Sequence, residues 1–295
     1  MGIDFKFVMK RKIVACIKKV IFIFPPAKWL KIRIENLQKQ LEDLQNQVLS
    51  INNKLSKIYN TKIQDICVKN NIHPNDFIFH YIINHTDFSN FTSALDYYFS
   101  DGRRSACKLQ SLCKEFFNHK PISLLEFASG YGCVTRNLDL EYFDITACDI
   151  HKEAMDFISE KFNIKTVLSE TIPENIKIYE TYDVVFALSF FSHMPDDTFG
   201  RWIRTLYEHV KQGGIFIFTV LGRISNEKFM NFFLDDGYAF KPQSEQEDLL
   251  TSDYGTTISE YSYVKRICES YIKKIPEIWK EGFWWEHQDL YIVRK

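Results

Sequence analysis

The fold is decided by one stretch, Ser123-Leu-Leu-Glu-Phe-Ala-Ser-Gly-Tyr-Gly132, in which an apolar run ends in Glu126 and leads into small residues. Small residues let the backbone approach a ligand closely, and a helix predicted to start near Cys133 offers free backbone N–H groups. The next apolar run ends in Asp149, whose carboxylate can accept both hydroxyls of a ribose. Together the two features indicate a nucleoside-containing ligand.

Short apolar runs alternate with helical segments from Ile122 onward. The predicted strands are residues 122–127, 145–148, 165–168, 183–188, 215–220 and 290–293. This alternation predicts an α/β fold with right-handed crossovers, in which helices cover both faces of a doubly wound, mostly parallel sheet. Ligands of such sheets bind at the carboxyl ends of the strands, so the functional residues are expected there.

The composition describes a globular protein with an uneven charge distribution. The 295 residues are 45% hydrophobic and 25% charged, which excludes collagen-like, disulfide-dense and wholly disordered classes. Residues 1–33 contain nine Lys or Arg and one acid, a net charge of +8, although the whole chain carries −1. Seven scattered cysteines without a CxxC pair favour a reducing compartment and argue against a zinc site.

Residues 1–28 form a basic arm in which apolar residues and lysines alternate at roughly helical spacing until Pro25-Pro26. The pattern predicts a helix at an anionic membrane surface; a helix packed on the body or a disordered basic tail are the alternatives. The apolar run 20–27 is too short to span a bilayer, and Lys18 and Lys19 interrupt any signal-peptide core. The protein is therefore expected in the cytoplasm, with peripheral contact at the inner membrane face.

Residues 29–60 carry an uninterrupted heptad pattern. Nine consecutive a and d positions are Leu, Ile or Val, and the flanking e and g positions are mostly Gln and Asn, without a charge code for a different partner. The pattern predicts a left-handed coiled coil that joins copies of this chain into a homo-oligomer of open number, with intramolecular packing as the alternative. The a and d positions are Leu30, Ile34, Leu37, Leu41, Leu44, Val48, Ile51, Leu55 and Ile58.

The stretch from Glu126 to Gly132, followed by Asp149, resembles motif I and the ribose-binding acid of class I S-adenosylmethionine-dependent methyltransferases. Ala128 stands where the family has its first glycine. NAD enzymes of the Rossmann type are the alternative, but they lack an acid at the position of Glu126 and need a diphosphate pocket. The resemblance covers residues 119–295 and implies a seven-stranded Rossmann-like sheet, with residues 61–118 as a helical cap or substrate region.

The resemblance implies S-adenosyl-L-methionine as the cofactor and assigns residues to it. The residues lie at or after the ends of four predicted strands: the loop after the first strand, the acid after the second, and one segment each after the third and the fourth. The implied cofactor-binding residues are Glu126, Ala128, Ser129, Gly130, Gly132, Asp149, Ile150, Ser169, Glu170, Ala187, Leu188 and Ser189, together with Arg103, which can bind the methionine carboxylate.

Methyl transfer to a hydroxyl needs an aligned acceptor and a base of near-neutral pKa. His193, just beyond the fourth predicted strand, and His287, at the entry to the last strand, are the candidate bases, with Asp289 as the residue that orients the base or the acceptor. The alternatives are a loop-packing role for His193 and a capping role for Asp289. No metal requirement is predicted, because the acids form no recognisable metal cluster.

The acceptor is expected to be a sugar hydroxyl. Tyr98, Tyr254 and Trp285 are candidates for stacking on a sugar or base. The stretches Asp253-Tyr-Gly-Thr-Thr and Trp285-Glu-His-Gln-Asp resemble bacterial methyltransferases of surface glycans and secondary metabolites, which implies a nucleotide-sugar or surface-polysaccharide precursor, of capsule or lipopolysaccharide. The alternatives are a lipid or small metabolite acceptor and a non-catalytic coiled-coil scaffold. Nucleic acid is not expected, because the body is acidic.

Overall fold

The computed structural model describes residues 28–85, 88, 90–244, 246 and 248–295. The chain divides into two compact units, the first ending at Ile66 and the second running over Cys67–Lys295. The predicted basic arm lies outside the described residues except for residue 28. Across the described part of the chain, every helix is too short or too polar to cross a bilayer.

Helix α1 (Lys28–Asn70) supplies the described part of the first unit. It is continuous through the predicted coiled-coil segment 29–60 and through the predicted boundary at residue 60. The absence of Gly and Pro over these residues, together with many Leu, Gln and Lys, explains the uninterrupted helix. Pairing of α1 with another helix stays a prediction.

The second unit is built on one sheet of strands β1–β9. In sequence order these strands are Ile122–Phe127, Phe143–Asp149, Lys165–Leu168, Tyr182–Ala187, Val210–Leu221, Tyr238–Lys241, Thr256–Ser259, Ile278–Trp284 and Gln288–Arg294. Parallel pairs join β3, β2, β1, β4 and β5 in that order, β9 adds antiparallel to β5, and β8 pairs with β9. These strands form the expected seven-stranded, mostly parallel arrangement.

Two further strands, β6 and β7, form an antiparallel hairpin that the sequence pattern did not predict. Its link to the central sheet is the parallel pair Leu221↔Ile258 at the end of β5. Strand β8 was also not predicted, because its sequence Ile278-Trp-Lys-Glu-Gly-Phe-Trp284 interrupts the apolar run with polar residues and glycine. All three strands lie beside the carboxyl end of β5 or on the outer side of β9.

The helices cover both faces of the sheet, as the doubly wound prediction requires. Successive β1 residues point to opposite faces. Leu124 joins a core with helices α3 (Phe91–Phe116) and α4 (Lys152–Phe162), and Leu125 joins a core with helices α5 (Asp196–Glu208) and α7 (Tyr261–Ile272). Helix α3 therefore packs on the sheet as part of its core. The remaining helices are α2 (Phe77–Asn84) and α6 (Arg223–Ser225), with a π-helical turn at Asn226–Met230 and 3₁₀ turns at Pro173–Asn175 and Phe190–Ser192.

The prediction of a helix starting near Cys133 was wrong, because the structure has only a 3₁₀ turn, Thr135–Asn137, at this point. The Asn137 side-chain Nδ2 donates to the Cys133 carbonyl, which in an α-helix would accept the backbone N–H of Asn137. The same carbonyl would lie only 2.1 Å from a Cβ on Gly102 of α3. Helix α3 therefore packs closely against this turn, where a regular α-helix would need more space.

Candidate active site

The loop after β1 follows a backbone path that favours glycine. Ala128, Gly130 and Gly132 have φ values of 58°, 54° and 82°. A Cβ on Gly132 would lie 3.1–3.4 Å from Phe162 and Ile158 of α4, so this glycine allows close packing of the loop. A Cβ on Gly130 would meet no described heavy atom within 4 Å. The left-handed conformation costs Ala128 about 1–2 kcal/mol, which the family's usual glycine would avoid.

Glu126, near the end of β1, is the most unusual acid of the site. Its side chain is buried, and Oε2 has no hydrogen-bond partner among the described residues. Burial, with a smaller contribution from the Asp149 carboxylate, raises the pKa of Glu126 to about 8, although the Thr135 hydroxyl lowers it in part. The Ser129 hydroxyl, in the adjoining loop, is also buried without a described partner. A ligand with a cationic hydrogen-bond donor would satisfy this region.

Asp149 ends β2 at the same edge of the sheet and is tied to the loop after β1. Its Oδ2 accepts the backbone N–H of Gly130 at 2.8 Å, and its Oδ1 accepts the backbone N–H of His151 at 3.0 Å. The His151 ring also binds both carboxylates beside it, with Nδ1 2.7 Å from Asp149 and Nε2 2.9 Å from Asp248. Burial lowers the pKa of His151, but the hydrogen bonds and charges of the two carboxylates outweigh it and raise this pKa overall.

The residues predicted after β2 and β3 lie next to Asp149. Ile150 follows it directly, and the Ser169 backbone N–H donates to the Asp149 carbonyl at 2.8 Å. Ser169 is buried, whereas the neighbouring Glu170 is exposed. The structure thus brings the predicted residues of β1, β2 and β3 to one edge of the parallel sheet.

The segment after β4 completes this edge. Ala187 is buried at the end of the strand, and Leu188 leads into Ser189, which has a left-handed φ of 60°. The Ser189 N–H donates to the Thr219 hydroxyl at 2.8 Å, Thr219 donates to Gln288 Oε1 at 2.7 Å, and Gln288 Nε2 donates to the Ser189 hydroxyl at 2.8 Å. This closed network fixes the turn after β4 against β5 and β9.

His193 lies just beyond this turn and is held by the β6–β7 hairpin. Its Nδ1 is 2.8 Å from the carbonyl oxygen of Gly255, and the Gly255 N–H donates back to the His193 carbonyl at 2.9 Å. The Tyr254 ring stacks on the imidazole with centroids 4.3 Å apart. Because a carbonyl can only accept, the Nδ1 contact places a proton on Nδ1, so the lone pair of the neutral imidazole is on Nε2. That tautomer is the one a general base requires.

His287 and Asp289 occupy different surroundings. Nδ1 of His287 is 3.1 Å from the Ser225 hydroxyl, and burial lowers the pKa of this histidine, with Lys228 lowering it further. Asp289 accepts hydrogen bonds from Trp279 Nε1 at 3.2 Å and from the backbone N–H of Gly282 at 2.9 Å. The Asp289 carboxylate therefore holds β8 against β9, and its role in orienting the base or the acceptor stays a prediction.

The predicted stacking residues have three different outcomes. Tyr98 is fully buried and donates to Asp76 at 2.6 Å, which contradicts its prediction as a substrate-stacking residue. The physical reason is that Asp76 caps α2, and this cap packs into the face of α3 that carries Tyr98. Tyr254 lies beside His193. Trp285, with a left-handed φ of 50°, donates from Nε1 to Asp101 at 2.7 Å and is half-buried.

Arg103 lies exposed on α3, one residue after the glycine that contacts the loop after β1. Its binding to the methionine carboxylate stays a prediction. Within the described ranges, no group of three or more His, Cys, Asp and Glu is placed to hold a metal ion.

His151, Thr219 and Gln288 are functional candidates that the sequence did not indicate. Thr219 and Gln288 are 69 residues apart and meet only because β9 pairs with β5. His151 had one available signal, its position two residues after the predicted ribose-binding acid. A histidine at that spacing can reach back to the carboxylate that ends the strand.

Comparisons with known proteins agree with this geometry. Residues 125–216 match a family described as a methyltransferase domain. A search among curated proteins found no match. The fold is similar to an S-adenosylmethionine-dependent methyltransferase from Clostridium acetobutylicum, at 18% identity and a TM-score of 0.47 over 75% of this chain and 98% of that one. It is also similar to the Burkholderia thailandensis 1,6-didemethyltoxoflavin-N1-methyltransferase, at 11% identity and a TM-score of 0.48 over 69% of this chain and 86% of that one.

The residues present fit S-adenosyl-L-methionine. The loop leaves open space at Gly130, the unpaired oxygen of Glu126 suits a cationic donor such as the ammonium of the methionine part, and Asp149 is placed for a ribose. The matched family covers these residues from the end of β1 to β5. Residues 125–216 therefore match a methyltransferase domain, and the loop after β1, Glu126 and Asp149 fit S-adenosyl-L-methionine as its cofactor.

Proposed function

We propose that this methyltransferase acts on a hydroxyl group, and that the hydroxyl belongs to a sugar of a nucleotide-linked or surface-polysaccharide precursor. The observation that carries the proposal is the tautomer of His193, whose Nδ1 is bonded to the Gly255 carbonyl. An imidazole fixed in this way can accept a proton at Nε2. A hydroxyl must lose its proton during methylation, so it gains most from such a base.

In the proposed mechanism the chain's own residues position two reactants and move one proton. Bound S-adenosyl-L-methionine supplies an electrophilic methyl group. Asp149 would hold the ribose of the cofactor and Glu126 its ammonium group, and the Ser189–Thr219–Gln288 network fixes the turn after β4. His193 takes the hydroxyl proton at Nε2 while the Gly255 carbonyl stabilises the charge that develops on the ring.

A sugar acceptor is supported by aromatic and hydrogen-bonding groups beside His193 and on the β8–β9 turn. Tyr254 is stacked on the imidazole, and Trp285 and His287 lie with ring centroids 6.3 Å apart on the β8–β9 turn. Aromatic faces next to hydrogen-bonding groups suit the apolar face and the hydroxyl rim of a sugar ring.

A lipid or an apolar small metabolite is the second candidate acceptor. The observation that favours it is the segment after α6: Phe229 packs edge-on to His287 with centroids 5.2 Å apart and is 60% exposed, and Phe233 is 92% exposed. Exposed aromatic side chains of this size near a site can receive an apolar ligand.

The test is a transfer screen with radiolabelled S-adenosyl-L-methionine and three acceptor panels: nucleotide sugars, lipids or apolar metabolites, and amines. Transfer to nucleotide sugars supports the proposal, transfer only to the apolar panel favours the second candidate, and transfer only to amines contradicts hydroxyl methylation. With the acceptor found, His193→Gln is expected to lower kcat about 100-fold or more at unchanged cofactor affinity.

A matched control for His193 is His209→Gln. The His209 Nδ1 also lies near a backbone carbonyl, that of Glu180 at 3.2 Å, but His209 ends α5 at the opposite edge of the sheet. Turnover is expected to stay within about twofold in this variant. Equal losses in the two variants would contradict the role of His193 as the base.

We also propose that the protein is cytoplasmic and rests on the inner membrane face through the basic arm. The support is the net charge of +8 over residues 1–33 and the apolar residues between the lysines. Each cation near anionic headgroups contributes about 1 kcal/mol. The intact protein is expected to float with anionic vesicles and a variant without residues 1–28 is not. Equal flotation of the two would contradict the proposal.

A further inference from the structure

Helix α1 carries an apolar stripe of half-exposed side chains. Its central members lie at alternating steps of four and three residues, and roughly half of each side chain is exposed. The exposed fractions are 51% for Leu37, 44% for Leu41, 57% for Leu44, 47% for Val48 and 55% for Ile51. We call these five residues the heptad stripe.

The width of the heptad stripe indicates what covers it. Every exposed large apolar side chain from Leu37 to Ile51 except Leu49 is at an a or d position, which is the seam of a coiled coil. A helix lying on a lipid surface instead has a broad apolar face bordered by cations. The flanking positions Gln38, Gln40, Gln45, Gln47 and Asn52 are uncharged, so they neither attract an oppositely charged partner helix nor repel a second copy of α1. A second copy of this chain therefore fits the stripe.

We propose that α1 pairs with α1 of a second copy in a parallel, in-register coiled coil. The orientation follows from the two cationic g positions, Arg33 and Lys54, which are both exposed. In an antiparallel pair that buries the whole stripe, g faces g, so Arg33 of each copy lies opposite Lys54 of the other and two repulsive contacts form. In the parallel pair g faces e, and Arg33 lies opposite the neutral Gln38.

The parallel arrangement has a consequence for the basic arm. Residue 28 of both copies comes to the same end of the coiled coil, so the two basic segments begin side by side. An anionic surface would then meet both segments at once, which raises the apparent affinity without any new contact. This consequence is independent of the acceptor and of the methyl-transfer site.

The test uses cysteine cross-linking of the full chain. Ile51 occupies a d position, so Ile51→Cys of two parallel copies meet in one layer, whereas in the antiparallel pair Ile51 lies opposite Ile34 and the two Ile51 residues are about 26 Å apart along the axis. Asn53→Cys, on the outer face of the same helix, is the matched control. Mild oxidation is expected to give a covalent dimer with Ile51→Cys, beyond the wild-type background, and not with Asn53→Cys.

Two results would overturn the proposal. One is a covalent dimer with the double variant Ile34→Cys/Ile51→Cys but not with Ile51→Cys alone, which means an antiparallel pair. The other is a monomeric mass of the wild-type protein by light scattering. Leu41→Asp/Val48→Asp is expected to lower the mass to that of the monomer while S-adenosyl-L-methionine still binds, which separates loss of pairing from loss of the fold.

Discussion

Replacement of Glu126 by glutamine tests the character of the cofactor site without changing its shape. The wild-type carboxyl is buried with one unpaired oxygen and has its pKa raised to about 8. The fold therefore favours the protonated carboxyl, whereas the unfolded chain ionises it near its ordinary value. Glutamine cannot ionise, so Glu126→Gln removes this difference between the two states and leaves a side chain of almost the same volume.

The size of the effect follows from the pKa shift. Below about pH 4.5 the carboxyl is protonated in both states and its ionisation contributes nothing to the stability difference. Between about pH 4.5 and the folded pKa of about 8, the wild-type protein loses about 1.4 kcal/mol per pH unit relative to the variant. The difference in free energy of unfolding between the cofactor-free variant and the wild type is thus expected to be about 3 kcal/mol larger at pH 7 than at low pH, in favour of the variant.

Thermal unfolding of the cofactor-free wild type and Glu126→Gln at about pH 5 and pH 7 measures this quantity. The difference in Tm is expected to widen by about 5–10 °C between the two pH values, in favour of the variant. The same variant is expected to bind S-adenosyl-L-methionine about 10- to 100-fold more weakly, because a charged hydrogen bond to the ammonium is lost. A Tm difference that is equal at both pH values would refute the raised pKa, and unchanged affinity would refute the contact with the cation.

Four other substitutions give clear expectations. Gly102→Ala places a Cβ 2.1 Å from the Cys133 carbonyl and is expected to lower the free energy of unfolding by about 3 kcal/mol, measured by denaturant titration; full stability would contradict the close packing. Gly130 has a positive φ, so Gly130→Ala is expected to lower the free energy of unfolding by about 1 kcal/mol, measured by Tm. The new Cβ would enter the open space left for the cofactor, so most of the cofactor affinity is expected to be lost, measured by calorimetry. His151→Asn is expected to weaken cofactor binding about 5- to 30-fold, because the ring contact with Asp149, the predicted ribose-binding acid, is lost. Wild-type affinity of this variant would show that the contact does not contribute to cofactor binding. Glu286→Gly relieves a left-handed φ of 61° and is expected to raise the unfolding free energy by up to about 1 kcal/mol; a loss of that size would contradict the backbone conformation.

Strands β1, β2, β4 and β5 were predictable because most of their residues are buried on both faces of the sheet, which gives nearly continuous apolar runs. Strands β1 and β3 agree with their predicted ranges to the residue. The missed strands are half-exposed or short, and β6 has only four residues, three of them intermediate in burial. Such strands exist because their neighbours offer free edges, and this information is not local in the sequence.

The same distinction holds for the site. Glu126 and Asp149 could be predicted from the sequence because each is an acid at the end of an apolar run, which is a local property. Tyr98 was assigned incorrectly because its burial depends on Asp76, which contacts it from another helix. Gln288 was missed because its partners are brought to it by β9 pairing with β5, 69 residues away in the chain at Thr219.

In the proposed mechanism the β6–β7 hairpin serves the acceptor side of the site, apart from the strands that carry the residues predicted to bind the cofactor. Its strands meet the sheet at one residue pair, yet Gly255 beside β7 makes two hydrogen bonds with His193, while Glu126 and Asp149 belong to β1 and β2. The two parts can therefore be altered independently. Exchange of residues 238–259 for a hairpin of another sequence offers a way to redirect the enzyme to new acceptors without rebuilding its source of methyl groups.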